Sequence, residues 1–471
     1  MKKKSKHTDP LPSGIAEKML EGIRFDERER INDRMTKKKN SDENSCNVRN
    51  YLTAFQYDPQ LKDAIKYNTL TGQINITKKL WWEDDYPALT DTVENNLYAY
   101  LEICYGLKNE KFMEKALWII AKNNSFNPLI DLLESLEWDG EKRIENILPK
   151  YLGAEKSELT TECLKHFMML ALERLYHPGC KAEEMLCLVG GQGAGKSTFF
   201  RFLALSDDWF MDDLNKIGDR HVYEKLSGHW IIEMSEMIGA INAKSNEELK
   251  SFLSHQKDNY RTPYFKYSED RPRQCVFGGT TNTKKFIPFD RSGARRFIPV
   301  ECDASRAEKH ILEDEDEAKE YFRQLWAEAM VLYKNKDFSL RFTPEIQKQL
   351  DTRREVFMQE DTDAGIIQDW LDHCGLNYVC SLMILKEALG VDAKPTKRQV
   401  NDISDIMHNK VTGWNEGPTH RFSDYKTQRS WVRIGTDTSD SGSENVNQHL
   451  TEAEKDGFEP FDIEADGLPF F

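Results

Sequence analysis

Apolar positions along this chain recur in three patterns, and each predicts a different kind of element. The clearest is helical. Leu164, Phe167, Met168, Ala171, Leu172 and Leu175 follow one another at spacings of 3-1-3-1-3, and the stripe stops at His177-Pro178-Gly179. Phe322, Leu325, Trp326, Ala329, Leu332 and Tyr333 predict a second long helix. Residues 47–150 read as mainly helical: Leu97, Leu101, Ala116, Leu117 and Ile120 fit helix faces, and Tyr67 to Ile76 reads as a hairpin around Thr71-Gly72. After Asn127-Pro128, the residues Ile130, Leu132, Leu133 and Leu136 predict a helix running to Trp138-Asp139-Gly140.

The second pattern is the short unbroken apolar run. Met185 to Val189, the stretch from Gly228 to Glu236 and Gln274 to Phe277 predict buried strands. The third is the near absence of apolar anchors. Residues 1–46 alternate basic and acidic clusters and read as a mobile charged arm, either simply solvated or touching nucleic acid. Residues 436–471 read as a disordered acidic tail. Between Ile366 and Ile434 three helical stretches precede a hairpin through Trp414, Phe422 and Trp431, a winged-helix outline.

At 471 residues the chain is too long for one core and suggests several modules. Hydrophobic content of 39% suffices for packed domains, with 31% charged residues. No eighteen-residue apolar run occurs and no apolar stretch follows Met1-Lys2-Lys3-Lys4, so no membrane partner and a cytoplasmic location are expected. The nine cysteines are scattered, which suits reduced buried thiols. Net charge is −15, which argues against nucleic acid at first sight. The tail changes that: removing its net −9 from −15 leaves −6 for the rest, within which basic patches can sit.

The chemistry centres on the loop after Val189. Gly190-x-x-x-x-Gly195-Lys196-Ser197 has the phosphate-binding spacing. Glycines let backbone N–H groups turn inward around phosphate oxygens, Lys196 supplies a point charge, and the Ser197 hydroxyl completes a Mg²⁺ shell. Gly190, Gly191, Gln192, Gly193, Ala194, Gly195, Lys196, Ser197 and Thr198 are therefore the expected ATP contacts. The strand from Gly228 ends in Glu233 and Glu236, either of which suits the Mg²⁺ and attacking water of an NTPase. The later strand runs into Gly278-Gly279-Thr280-Thr281-Asn282, where an Asn or Thr can orient that water. Arg295 and Arg296 follow Gly293, and one of them can act as an arginine finger on a neighbouring subunit. Between these motifs Arg261, Lys266, Arg271 and Arg273 are interleaved with Tyr260, Tyr264, Phe265 and Tyr267, the recipe for sequence-independent single-strand binding. Lys397 and Arg398 give the winged-helix outline basic positions for DNA phosphates, although such a domain can also serve only protein contacts.

Taken in order, Asn127-Pro128, Trp138-Asp139-Gly140, His177-Pro178-Gly179, the phosphate loop, Trp230 to Glu236, Asp258 to Tyr264, Arg273-Gln274, Thr281-Asn282 and Gly293 to Phe297 resemble the virulence-associated protein E family of phage and mobile-island proteins. That family is similar to superfamily 3 helicases within the AAA+ ATPases. The resemblance covers residues 110–300 most strongly. It implies Walker A roles for Lys196 and Ser197, Walker B for Glu233 and Glu236, sensor 1 for Asn282, and a finger at Arg295 or Arg296. One departure is Glu233, standing where many NTPases have Asp.

The expected fold is α/β: a P-loop AAA+ type core at 151–340, a mainly helical domain at 47–150, and a winged-helix-like domain at 341–435. The expected function is an ATP- and Mg²⁺-dependent DNA helicase or translocase of a phage or mobile element, working in replication as a hexameric ring on single-stranded and forked DNA. The alternative is an ATP-dependent switch that binds DNA or a partner without unwinding. The tail's end, Glu464 to Phe471, resembles acidic, aromatic-terminated tips that recruit replication proteins, with a merely solubilising tail as the alternative.

Overall fold

The computed structural model describes residues 19, 23–81, 88–214, 222–235, 243–260, 268–288, 291–359, 362–391 and 395–435. They form two compact units, dividing after Gln359.

The first unit begins with helices α1 (Phe25–Arg34) and α2 (Val48–Tyr57), a hairpin of β1 (Ile65–Asn68) and β2 (Gln73–Ile76), and helices α3 (Asp91–Tyr105) and α4 (Glu110–Asn123). The hairpin turns at Thr71-Gly72 as its residues predict, with Asn68 paired to Gln73. The expected arm at 1–46 is a folded element over its second half. Met19, Ile23, Ile31 and Met35 are buried with Tyr51, Phe55, Leu97 and Leu101 in one apolar cluster. Of these anchors only Ile31 lies within α1, with Met35 just beyond its end, and the surrounding charge clusters conceal them. Asp58 closes this region, accepting from Tyr100 and Tyr105 hydroxyls at 2.7 Å each.

The second part opens with β3 (Ser125–Phe126) and α5 (Pro128–Ser135), which ends short of the expected Trp138. Leu136 is extended there, and Gln324 holds the next residues through the Glu137 carbonyl and the Asp139 N–H. Helix α6 (Ile147–Leu152) leads to α7 (Glu158–Tyr176), whose six-residue stripe is buried throughout. Each of its leucine, phenylalanine and methionine side chains is worth about 1.5–3 kcal/mol removed from water. This helix packs beside α5 and α6 in one cluster with the sheet, so residues 128–152 belong with the second part rather than with 47–127.

Then come β4 (Met185–Val189), α8 (Lys196–Leu203), β5 (Phe210–Met211), α9 (Val222–Leu226), β6 (Ile231–Ser235), α10 (Ala243–Ser254), β7 (Lys257–Tyr260), β8 (Glu269–Pro272), β9 (Val276–Thr281), α11 (Arg291–Ala294), β10 (Phe297–Glu301), α12 (Glu315–Asn335) and α13 (Pro344–Phe357). Among the described residues, five strands form one parallel sheet in the order β10-β4-β9-β6-β5. β7 and β8 form a separate antiparallel pair. β9 starts later than the sequence predicts and continues through Gly278-Gly279. Those glycines are strand, not loop: a Cβ on Gly278 would lie 2.4 Å from the Phe200 ring of α8. The predicted C-terminal domain also starts too early. α13 buries Ile346, Leu350 and Phe357 in the two apolar clusters that flank the sheet.

The second unit holds α14 (Thr362–His373), β11 (Tyr378–Val379), a short helix from Ser381 continuing as a π-helix to Ala388, α15 (Lys397–Asn409), and the hairpin β12 (Trp414–Phe422) and β13 (Lys426–Arg433). β11 and β12 flank β13, both antiparallel. Ile367, Leu371, Ile403, Met407, Trp414 and Trp431 fill its core. No described helix is long and apolar enough to cross a membrane, and all nine cysteines are unpaired.

One core residue makes stability pH-dependent. His166 of α7 is 4% exposed, lies against the tilted Phe342 ring with centroids 4.3 Å apart, and has no hydrogen-bond partner among the described residues on either ring nitrogen. Burial, with the nearby Arg354 charge, pushes its pKa down to about 4. Between the ordinary value near 6.5 and 4 the unfolded chain binds a proton that the folded chain refuses, so stability falls as pH falls through that window. At pH 5 this costs about 2 kcal/mol relative to pH 7.5. His166→Leu is expected to remove that part of the acid sensitivity, read from denaturant midpoints at the two pH values.

Candidate active site

All strands of the large sheet run the same way, so the residues following β4, β6, β9 and β10 emerge at one edge. β4 is where the order reverses: the chain leaves it for β5, β6 and β9 on one side and returns as β10 on the other. Ligands of open α/β sheets sit at such a point, outside the carboxyl ends of the strands.

The loop from Gly190 to Gly195 turns there. Gly193 and Gly195 have φ of 79° and 80°, a left-handed conformation that glycine adopts without strain. Gly195 caps α8, whose free N–H groups and positive end then face the loop. Phe199, Phe200 and Phe202 anchor the helix in the core. Lys196 is 8% exposed. Its ammonium donates to the carbonyls of Gly190 (2.7 Å) and Gly191 (2.6 Å) and to Asn282 Oδ1 (3.1 Å). Burial lowers its pKa.

Glu233 projects from β6 beside it and is 1% exposed. Its Oε1 accepts from Ser197 Oγ at 2.7 Å and from Thr280 Oγ1 at 2.5 Å, while Oε2 has no hydrogen-bond partner among the described residues. Burial pushes the carboxyl pKa up, opposed by the Thr280 and Ser197 hydroxyls. A buried carboxylate with one oxygen lacking a donor, on a side chain that also meets the Ser197 hydroxyl, offers oxygen ligands of the kind a hard divalent cation prefers. The cleft over these groups measures about 440 Å³ and is lined by Gly193, Lys196, Ser197, Ser235, Thr280 and Asn282, among others.

The loop has a buttress that was not legible in the sequence. Beyond β10, Cys302 N–H donates to the Val189 carbonyl at 2.7 Å, and a Cβ on Gly190 would sit 2.2 Å from the Cys302 carbonyl. His310 Nδ1 accepts from Leu312 N–H, which leaves Nε2 to donate to the Gly193 carbonyl at 3.2 Å. Neither residue belongs to a recognisable motif, so only the folded chain reveals them.

Lys196, Ser197, Glu233 and Asn282 are thus brought together, with the expected ATP contacts from Gly190 to Thr198 around them. Glu236 lies outside the described residues. Arg295 and Arg296 are elsewhere: they precede β10 at the opposite edge of the sheet, about 16 Å away by strand length. Arg296, with its side chain 12% exposed, is spent on Glu183 at 3.3 Å and Ser254 at 3.1 Å. The Arg295 side chain is 62% exposed and touches Glu183 at 3.2 Å. Arg354 of α13 fixes this turn by donating to the carbonyls of Arg295 (2.7 Å) and Phe297 (2.8 Å).

The expected DNA contacts fare unevenly. Arg261, Lys266 and the side chain of Arg398 lie outside the described residues, and Lys397 is exposed at the start of α15. Arg271 stacks over Tyr260 at 5.0 Å, and its guanidinium lies so close to Gly72 that a Cβ there would meet it at 2.1 Å. Arg273 corrects the sequence reading. It is 3% exposed, forks onto Asp258 at 2.7 and 2.8 Å and donates to the Phe252 carbonyl. It is a buried ion pair, not a DNA contact. Arg273→Ala would strand the Asp258 charge, so a loss of about 3–5 kcal/mol is expected in thermal or denaturant unfolding. Single-strand affinity per folded molecule is expected to stay unchanged.

Residues 133–359 match the family model of the virulence-associated protein E-like domain. That span holds the whole cleft and supports the resemblance read from the ordered motifs. No curated protein matches the chain. Among solved structures, the A form apo structure of the NrS-1 C terminal region is 14% identical, with 78% of this chain and 96% of that chain covered and a TM-score of 0.43. A second apo structure of the same region is 15% identical, covering 78% and 95%, also at 0.43. Likenesses at that level say nothing of what this chain does.

Proposed function

We propose that the chain is an ATP-driven DNA helicase or translocase of a phage or mobile genetic element, of the P-loop AAA+ type, acting in replication as a ring-shaped oligomer. The observation that carries this is the convergence of Lys196, Ser197, Glu233 and Asn282 on one cleft at the helix α8 N-terminus. There the inward N–H groups and Lys196 would hold the triphosphate. Ser197 and Glu233 would hold Mg²⁺, which neutralises charge on the phosphates. Asn282 would orient a water beside Lys196, and Glu236 remains the candidate to polarise it.

The phage or mobile-element setting rests on the domain match over 133–359. A ring is the assembly that would let Arg295 act, since it stands at the far edge from its own cleft. The second unit, three helical segments and an antiparallel hairpin sheet, suits a winged helix that docks on duplex DNA through Lys397 and Arg398.

The direct test is unwinding of a forked duplex with ATP, beside a non-hydrolysable analogue. ATP-dependent strand separation is expected, and none with the analogue. A regulatory switch without unwinding has one observation in its favour. Two of the four cations expected to bind single strands have partners within the protein, Arg271 on Tyr260 and Arg273 on Asp258. ATP turnover with no strand separation would favour that reading. The tail from Glu464 to Phe471 lies outside the described residues and remains a proposed docking segment for host replication proteins.

A further inference from the structure

We infer that Thr280 is a positioning residue which fixes the carboxylate of Glu233 so that one oxygen is held by the protein and the other is left for the cation. The inference rests on the nucleotide-site reading above and adds to it a residue outside every motif assigned there.

Thr280 is the penultimate residue of β9, 6% exposed, and its backbone pairs with Leu188 of β4 and Ser235 of β6. It is therefore locked between the strand of the phosphate loop and the strand of the acid. Being β-branched it has few rotamers, so its hydroxyl has little freedom to leave. That hydroxyl donates to Glu233 Oε1 at 2.5 Å, and the Ser197 hydroxyl donates to the same oxygen at 2.7 Å. Oε2, equally buried, receives no hydrogen bond among the described residues.

The terminal torsion of a glutamate is broad, so the plane of its carboxylate is poorly fixed by the side chain alone. Two donors on one oxygen hold that plane and so aim the other oxygen in one direction. The two donors are not equivalent. Ser197 is the hydroxyl that the phosphate-loop pattern assigns to the cation itself, so it cannot be counted on to hold Glu233 independently. The phosphate-loop pattern assigns no cation to the Thr280 hydroxyl, which in this structure is committed to Glu233. Removing a hydrogen bond that orients a metal-holding carboxylate typically costs 10–100-fold in metal affinity.

The test uses the full chain, a fluorescent ATP analogue and a Mg²⁺ titration, with nucleotide binding as the readout rather than turnover. Thr280→Val keeps the shape and loses the hydroxyl; Thr280→Ala loses it without risk of overpacking; Thr280→Ser keeps it. Val and Ala are expected to raise the Mg²⁺ concentration for half-maximal tightening by about 10–100-fold, with nucleotide affinity in EDTA unchanged. Ser is expected to stay within about threefold of wild type, since it keeps the hydrogen bond.

A wild-type Mg²⁺ titration in a folded Val or Ala variant overturns the inference alone, and so does a Ser variant that behaves like Val. A wild-type protein showing no Mg²⁺-dependent nucleotide binding overturns the nucleotide-site reading, and this inference with it.

Discussion

Replacing Lys196 by alanine is expected to lower ATP turnover by about 10³-fold or more, because it removes the buried cation proposed to hold the phosphates. The ammonium already has three oxygen acceptors around it, two of them loop carbonyls. Its loss therefore both weakens phosphate binding and frees the loop. Glu233→Gln is expected to be comparably severe for turnover while sparing nucleotide binding in EDTA. The amide is nearly isosteric and can still accept from Ser197 and Thr280, but it carries no charge for a cation. Phosphate-release rates beside binding of a fluorescent nucleotide separate the two effects. A Glu233→Gln protein that hydrolyses at the wild-type rate would transfer the carboxylate role to Glu236.

The second large effect concerns the arginine pair. Losing an arginine finger costs about 10³-fold or more in rate. The structure separates two residues that the sequence leaves equivalent. Arg296 is buried on Glu183 and Ser254, whereas Arg295, on a turn clamped by Arg354, keeps a mostly exposed side chain whose ion pair with Glu183 a neighbouring subunit's phosphates could replace. Arg295→Ala is therefore expected to abolish turnover with little change in unfolding midpoint. Arg296→Ala is expected to lower that midpoint, because Glu183 is itself only 7% exposed. Mixing Arg295→Ala subunits with Lys196→Ala subunits should restore activity, since some interfaces then pair an intact finger with an intact cleft. No recovery on mixing, or full activity in a protein that stays monomeric during turnover, would remove Arg295 from the mechanism.

How far the fold was readable follows from how local its causes are. The α7 stripe, the β4 run and the Thr71-Gly72 turn announce themselves because one element's own periodicity or turn chemistry decides them. The folded half of residues 1–46 was hidden since Ile31 and Met35 stand among charges and find their partners only in α2 and α3. β9 was misread at Gly278, whose glycine answers to the Phe200 ring of another element. The same holds at the site. Lys196 and Ser197 carry a motif because backbone geometry constrains neighbours in sequence. Thr280 reaches Glu233 by sheet order, and Cys302 and His310 reach the phosphate loop by loop return, neither of which local spacing encodes. Arg273 looked like its basic neighbours until Asp258 was seen opposite it.

The most direct measurement is the steady-state release of phosphate from Mg²⁺-ATP by the purified full chain, with and without single-stranded DNA. Measurable wild-type turnover, faster with DNA and lost in Lys196→Ala, is the predicted result. A well-folded wild-type protein that releases no phosphate under either condition, or a Lys196→Ala protein that turns over as fast as wild type, would contradict it.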